Sequence, residues 1–360
     1  MKFTKFLLHL SFAFSLLLTT ACTEKDNSQK VSCSTSQEEV LLAYATQFNL
    51  DLENCSSAFS NLQTANWASI SDSELETNKQ TLKAARIAYN TISSYNFGPA
   101  ISNGVELNDR FNIFPANETA IVSNALNGEQ DIEALFKSQV GLEAIEYLVY
   151  NIDSIAHNET EKNAVIQHLQ AQISAITSRI NDLHSAYSTG GYIAEFKSNT
   201  GSDDGSSLAL FTNQFVQDLE TRLRNNKLRI PIGKFNGGTP LLDKVEGRYS
   251  NYGLEFAAQH FNKLKNLYGT NNDSLSLASY LSCLGENDLS QSIEAQFTTT
   301  ATAYETLIAA NGESLKAAIE NDNANVSILI DEHQKLVALI KGPMLSALGV
   351  RINYTDSDGD

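Results

Sequence analysis

The sequence predicts an all-α protein made of two helical bundles. Apolar residues recur at intervals of three and four along most of the chain, which is typical of amphipathic helices. Proline is scarce, with 5 in 360 residues, and alternating runs of β-branched residues are few. The periodic segments cover residues 38–50, 71–93, 116–127, 128–150, 159–187, 208–225, 241–267, 275–283, 290–310 and 326–348.

The strongest break in this pattern lies at residues 198–207, which are small, polar and rich in glycine. Such a composition is typical of a loop or linker. We therefore predict an amino-terminal bundle over residues 37–197, a linker at 198–207, and a carboxy-terminal bundle over 208–360 that ends in an acidic tail. Each half has about the size of a four-helix bundle with additions.

The first 21 residues have the features of a bacterial lipoprotein signal peptide. Two lysines precede an apolar run at residues 6–18 that is too short to span a bilayer comfortably. The junction Ala21-Cys22 then resembles a lipobox, which implies cleavage before Cys22 and acylation of this residue. Several acyl chains give stable anchoring, so we expect a lipid-anchored protein of the cell envelope, on either face of the outer membrane. Residues 22–36 are polar and are predicted to form a flexible tether.

The chain is acidic, with 42 Asp and Glu against 25 Lys and Arg and a formal net charge of −17. This balance disfavours nucleic acids and anionic lipid headgroups as partners. It suits cations and basic ligands, although a high negative charge also favours solubility.

Three cysteines remain besides the predicted lipidation site, namely Cys33, Cys55 and Cys283. In an exported protein this number fits one disulfide and one free thiol. The pairs Cys33–Cys55 and Cys55–Cys283 both remain open from the sequence.

Two carboxylates stand three residues apart in an otherwise apolar segment, at Glu143 and Glu146. On a helix, positions i and i+3 share one face, so both side chains point the same way. Acidic side chains are rarely buried unless they are paired or bind a cation. The pair is therefore either a half-exposed rim or a site that something must neutralise.

The segment that begins at Gly141 resembles the signature of the imelysin family, Gly-x-His-x-x-Glu followed by an aromatic and aliphatic run. Gly141 and Glu146 fall on this pattern, and Glu143 occupies the position of the His. Further elements resemble the family in order and spacing from about residue 40 to the end of the chain. They are Arg86 with Tyr89, Phe97-Gly98-Pro99, Asn108, Phe114-Pro115, Glu246 with Tyr249 and Ser250, and the terminal segment 348–360.

The resemblance implies two helical-bundle domains and an association with iron-regulated uptake systems. By this resemblance, a metal or ligand site would combine Glu143 and Glu146 with Arg86, Glu246, Tyr249 and Ser250, and iron-transport components would be partners. An iron or calcium ion suits such carboxylate ligands. The segment Phe97-Gly98-Pro99 is more simply a helix stop, because glycine and proline end helices.

Three functions remain open, of which the first is the leading hypothesis. In this first hypothesis, the motif binds a metal ion or an iron-containing ligand. Alternatively, Glu143 and Glu146 pair with Arg86 or Arg248 in a structural ion-pair cluster without metal. The third, a metallopeptidase, is disfavoured because zinc hydrolases use imidazole or thiolate ligands and the motif has no histidine. Binding is therefore favoured over hydrolysis, and whether the protein is an enzyme stays open from the sequence.

Overall fold

A computed structural model describes residues 27–67, 72–102, 105–188, 191–269 and 275–354. Most of this described chain is helical, which confirms the predicted all-α fold. The predicted signal peptide at 1–21 and the lipidation site Cys22 lie outside the described residues, as does the end of the acidic tail.

Fourteen α-helices follow one another along the described chain. The α-helices are α1 (Asn27–Thr64), α2 (Asp72–Thr91), α3 (Leu107–Phe111), α4 (Glu118–Leu126), α5 (Leu142–Ile155), α6 (Glu159–Ser188), α7 (Tyr192–Ser198), α8 (Ser207–Gln217), α9 (Gly253–Tyr268), α10 (Leu277–Cys283), α11 (Asn287–Asn311), α12 (Leu315–Asn321), α13 (Asn323–Leu339) and α14 (Leu345–Leu348).

Shorter elements fill the connections. Two π-helical segments are π1 (Asp218–Arg229) and π2 (Ile340–Met344). The strands β1 (Ile101–Ser102) and β2 (Val105–Glu106) pair antiparallel, with Ile101 opposite Glu106. Single 3₁₀ turns lie at Ser93–Tyr95, Gly98–Ala100, Ile132–Ala134, Lys137–Gln139 and Leu242–Lys244.

The helices pack around one continuous apolar core. In the amino-terminal part, α1 packs against α2, α6 and α7, while α5 packs against α6. In the carboxy-terminal part, α11 packs against α13, and π1 packs against α9 and α13. The two parts meet where α2 contacts α9 and where α1 contacts α10. Residues 199–206, within the predicted linker, connect α7 to α8, and the division into two domains stays a prediction.

Two segments predicted to be helical contain long irregular stretches instead. In the segment 128–150, α5 begins only after Gly141, which has a φ of +96° that an L residue rarely adopts. In the segment 241–267, α9 begins at Gly253, after a turn in which Gly247 has a φ of +66°. Apolar spacing alone does not register these backbone reversals, so both predicted helices were too long.

The predicted tether was also partly wrong. Helix α1 begins at Asn27, so residues 27–36 extend this helix instead of forming a flexible segment. Each residue added to an existing helix gains a hydrogen bond without a new nucleation step. Polar residues can therefore continue a helix whose later turns are packed.

The disulfide pairings left open from the sequence were both wrong, because each involves Cys55. The Cys55 thiol is free and buried, and burial raises its pKa. Cys283 is disulfide-bonded, and its partner is not among the side chains described. Across the described residues, no helix is long and apolar enough to cross a membrane.

Candidate functional site

The start of α5 is fixed by a close backbone contact at Gly141. The Gly141 N–H donates to Oε1 of Gln172 on α6 at 3.0 Å. A Cβ at position 141 would lie 2.3 Å from the carbonyl oxygen of Phe111, which no side chain could tolerate. The glycine therefore sets both the register and the position of α5. It also places Glu143 in the first turn of the helix, where the helix dipole favours a carboxylate.

Glu143 and Glu146 point inward and meet the guanidinium of Arg86, which lies in α2. Arg86 donates to Oε1 of Glu143 and to Oε2 of Glu146. All three side chains are 1% exposed. The guanidinium also lies over the ring of Phe256 on α9, 4.7 Å from its centroid. One arginine therefore bridges both motif carboxylates in an almost water-free setting.

Backbone N–H groups of the turn at residues 246–250 also donate hydrogen bonds to the two motif carboxylates. Gly247 N–H donates to Oε1 of Glu143 at 2.8 Å. The N–H groups of Tyr249 and Ser250 donate to Oε1 of Glu146 at 3.1 Å and 2.9 Å. Hydrogen bonds thus join α5 to a turn that lies more than 100 residues further along the chain.

Tyr249 joins the site through its backbone N–H, and Ser250 joins it through its backbone N–H and a side-chain hydrogen bond to Glu146. The Tyr249 hydroxyl donates to Glu118 on α4 at 2.9 Å, and Arg248 pairs with the same carboxylate. The Ser250 hydroxyl donates to the carbonyl oxygen of Gly247 at 3.2 Å. Arg248, which the sequence offered as a partner of the motif, therefore pairs elsewhere.

Glu246 and Lys227 extend the cluster into π1. A Glu246 oxygen lies 3.7 Å from Arg86 and the other lies 2.9 Å from Nζ of Lys227. Lys227 also donates to Oδ1 of Asn90 at 3.0 Å. The cluster formed by Arg86, Glu143, Glu146, Lys227 and Glu246, hereafter the Arg86 cluster, holds three carboxylates against two cations. Its formal charge with every group ionised is therefore −1.

The electrostatics of the Arg86 cluster follow from this imbalance. Burial disfavours a charged guanidinium, but Glu146, Glu143 and Glu246 outweigh it and raise the pKa of Arg86. Burial also disfavours a charged Glu246, yet Lys227 and Arg86 outweigh it and lower the pKa of this carboxyl. For Glu146, burial dominates over the attraction of Arg86, the charge of Glu143 adds to it, and the pKa rises to about 7. Glu146 is therefore the group on which a balancing proton would reside.

The predicted helix stop lies apart from the Arg86 cluster. Phe97 is buried and stacks on Phe196 with 5.6 Å between ring centroids. Gly98 and Pro99 form a 3₁₀ turn, and the ring of Tyr192 lies directly against Gly98. Of these three residues, Phe97 belongs to the apolar core, while Gly98 is exposed and Pro99 is half-buried.

A second buried polar group, which the sequence did not suggest, lies beside the Arg86 cluster. Nε2 of His260 on α9 lies 2.7 Å from Oδ2 of Asp218 at the start of π1. The hydroxyls of Ser93 and Ser94 also donate to Asp218. Burial lowers the pKa of His260, although Asp218 opposes this shift. Nothing in the spacing of positions 93, 218 and 260 could reveal this contact.

The oxygens of the motif carboxylates already accept hydrogen bonds from protein donors in this arrangement. The donors to Glu143 and Glu146 are Arg86 and three backbone N–H groups. Within the described ranges, no group of three or more His, Cys, Asp or Glu side chains is placed to hold a metal ion. The binding of iron or calcium at this site stays a prediction from the sequence.

Fold and site together define an all-α protein whose polar centre is a closed ion-pair cluster between two sets of helices. The chain belongs to the imelysin family, because the imelysin family model matches residues 50–341. The resemblance found in the sequence is thereby confirmed. A comparison with curated protein sequences finds no match.

Two solved structures share this fold. An imelysin-like protein from Psychrobacter arcticus 273-4 matches with a TM-score of 0.71 and 18% identity, over 89% of this chain and 98% of its own. A protein from Parabacteroides distasonis ATCC 8503, named an iron-regulated protein A precursor, matches with a TM-score of 0.68 and 14% identity, over 88% of this chain and 95% of its own. At these identities, the likeness establishes the fold alone.

Proposed function

We propose that this chain is a lipid-anchored protein of the bacterial cell envelope. It serves an iron-related process by binding a ligand and not by hydrolysing a substrate. The signal peptide and Cys22 support the anchor. The relation to a protein named as iron-regulated supports the iron-related process. In this proposal, the motif has the structural role of joining α2, α5 and the turn at 246–250.

The observation that carries this proposal is the closure of Glu143 and Glu146 around Arg86. A hydrolytic metal centre needs an open position for water and a general base beside it. Here both carboxylates are 1% exposed, and their oxygens face a guanidinium and backbone N–H groups. A buried cluster of this kind joins elements firmly, since loss of one charge leaves another unpaired.

A second candidate function is the binding of one cation at the motif. The observation that favours it is the excess of one carboxylate in the Arg86 cluster. Within the described residues, Oε1 of Glu246 has no hydrogen-bond partner and lies 3.7 Å from Arg86, whereas Oε2 lies 2.9 Å from Nζ of Lys227. Either a bound cation or a proton on Glu146 would balance the extra negative charge. In the structural role proposed above, the proton balances it.

Thermal unfolding with added metal separates these two functions. We expect added Fe²⁺, Fe³⁺ or Ca²⁺ to change the melting temperature of chelator-treated wild type by the same amount as that of a Glu143→Gln/Glu146→Gln variant. The matched control is Glu38→Gln/Glu39→Gln, which removes two exposed carboxylates from α1. A metal-dependent rise in the melting temperature of wild type and control that the motif variant lacks would establish the cation site and contradict the proposal.

The iron-related process is tested in the bacterium that carries the gene. We expect the amount of this protein to rise several-fold when the culture is starved of iron, as measured by quantitative immunoblotting of the membrane fraction. Starvation for zinc at matched growth rate is the control. An amount that is unchanged by iron and equal in both cultures would argue against a role in iron metabolism.

A further inference from the structure

A cleft of about 680 Å³ lies between α3, the segment 133–137 and the second half of α6. Its apolar walls include Leu107, Phe111, Leu135 and Leu183. This volume is in the range of small-molecule sites, which are mostly apolar clefts with a few polar groups. No part of the Arg86 cluster lines it, so it is a separate feature of the fold.

The side chain of Phe136 stands at this cleft and is 77% exposed. It is the most exposed of the large hydrophobic residues in the described chain. The fold gains little from a phenyl ring in water, because apolar surface is stabilising only when it is buried. An aromatic group held at the mouth of an apolar cleft is instead available for stacking on a ligand.

The walls of the cleft are held in place before any ligand arrives. The guanidinium of Arg110 donates to the carbonyl oxygens of Ile132 at 2.7 Å and Leu135 at 2.8 Å. These bonds fix the segment that carries Phe136 against α3. On the other side, Phe111 lies directly against Gly141 at the start of α5. A preorganised cleft loses less entropy on binding than a mobile one.

The charges at the rim indicate a ligand without strong net charge. Arg110 and Arg179 both lie near the Glu133 carboxylate, at 3.7 Å and 3.4 Å. Lys137, Asp109 and Asp182 complete the rim. Three cations thus face three carboxylates, and the rim as a whole neither attracts nor repels a simple ion. The apolar walls and the exposed phenyl ring then determine what binds.

A second cleft of similar volume, about 720 Å³, lies along α1 and α2. The described side chains that line it are mainly Asn, Thr and Ala, with no aromatic ring among them. It offers little apolar contact, so it does not compete with the Phe136 cleft as a site for an organic ligand.

We propose that the Phe136 cleft binds an uncharged aromatic small molecule, with one ring stacked on Phe136 and the remainder against Leu107, Phe111 and Leu183. This inference goes beyond the proposed function and does not depend on the motif. An aromatic pair contributes about 0.5–1.5 kcal/mol beyond the area it buries. Loss of the Phe136 ring should therefore weaken binding by up to roughly tenfold.

The probe for this site is N-phenyl-1-naphthylamine, a neutral aromatic dye that fluoresces in apolar surroundings. We expect wild type to bind it at one site per chain, Phe136→Ala to bind it several-fold to tenfold more weakly, and Ala186→Trp, which fills the cleft, to lose binding. The matched control is Phe235→Ala, since Phe235 is another exposed phenylalanine, at 52%, that lies over Arg229 and away from the cleft.

Circular dichroism melting tests whether the variants are folded. We expect Phe136→Ala and Phe235→Ala to be folded because both phenylalanines are largely exposed. Equal dye binding by wild type and Phe136→Ala would overturn the proposal. An equal loss in Phe235→Ala would also overturn it, because the dye would then adsorb to exposed rings in general. The metal experiments on the motif leave this result untouched, so the two proposals fail independently.

Discussion

Arg86→Met is expected to lower the free energy of unfolding by about 3–5 kcal/mol, or to prevent folding, because it leaves three buried carboxylates with one cation. Methionine keeps much of the length of the arginine side chain, so the loss comes mainly from the missing charge and its hydrogen bonds to Glu143 and Glu146. Urea unfolding followed by circular dichroism measures this difference.

The matched control is Arg351→Met, the same substitution at an exposed arginine. We expect it to change the free energy of unfolding by less than about 0.5 kcal/mol. Where Arg86→Met does not accumulate in folded form, Arg86→Lys retains the charge but loses the geometry that reaches two carboxylates at once. A loss for Arg86→Met no larger than that for Arg351→Met would contradict the structural role of the Arg86 cluster.

The stability of wild type relative to Glu146→Gln is expected to fall as the pH rises from about 4.5 to about 7. Burial raises the pKa of Glu146 in the folded protein to about 7 from its ordinary value of 4.5. Between these values the folded chain binds more protons at this position than the unfolded chain, so its ionisation destabilises the fold. The slope reaches at most about 1.4 kcal/mol per pH unit, and the total change is on the order of a few kcal/mol.

The comparison with Glu146→Gln is essential, because other buried groups act in the opposite direction. The pKa of His260 is lowered by burial, and that of His333 falls to about 3 for the same reason. These histidines contribute stability that is lost when the pH falls below about 6.5. They are present in both proteins, so their effect cancels in the difference. A difference that instead grows with pH would mean that Glu146 is stabilised as the anion.

The sequence predicted the fold class because helix formation depends on local spacing of apolar residues. The spacing also singled out Glu143 and Glu146, and the family resemblance added Arg86, Glu246, Tyr249 and Ser250. The structure brings these residues together. That the two motif carboxylates share one face follows from their i and i+3 spacing on a helix, whereas the sequence left open whether this face is buried. The pairing with Arg86 was one of the alternatives that this reasoning left open.

The remaining partners depend on tertiary structure that no local pattern encodes. The backbone N–H groups of Gly247, Tyr249 and Ser250 reach the motif because the turn contains positive φ values at Gly247 and Asn251. Lys227 is buried because π1 turns it inward, and a lysine in a charged segment would ordinarily be assigned to the surface. Tertiary packing therefore added Lys227 and Gly247 to the site and determined that the backbone N–H groups of Tyr249 and Ser250 face Glu146.

The central claim is that Arg86 neutralises the motif carboxylates in a closed cluster. A double-mutant cycle of wild type, Arg86→Met, Glu146→Gln and the double variant, measured by urea unfolding at pH 8, tests it most directly. We expect a coupling free energy of about 1–3 kcal/mol, because removal of Arg86 does less harm once Glu146 carries no charge. The claim would be contradicted if the losses of unfolding free energy in the two single variants summed to the loss in the double variant within about 0.5 kcal/mol.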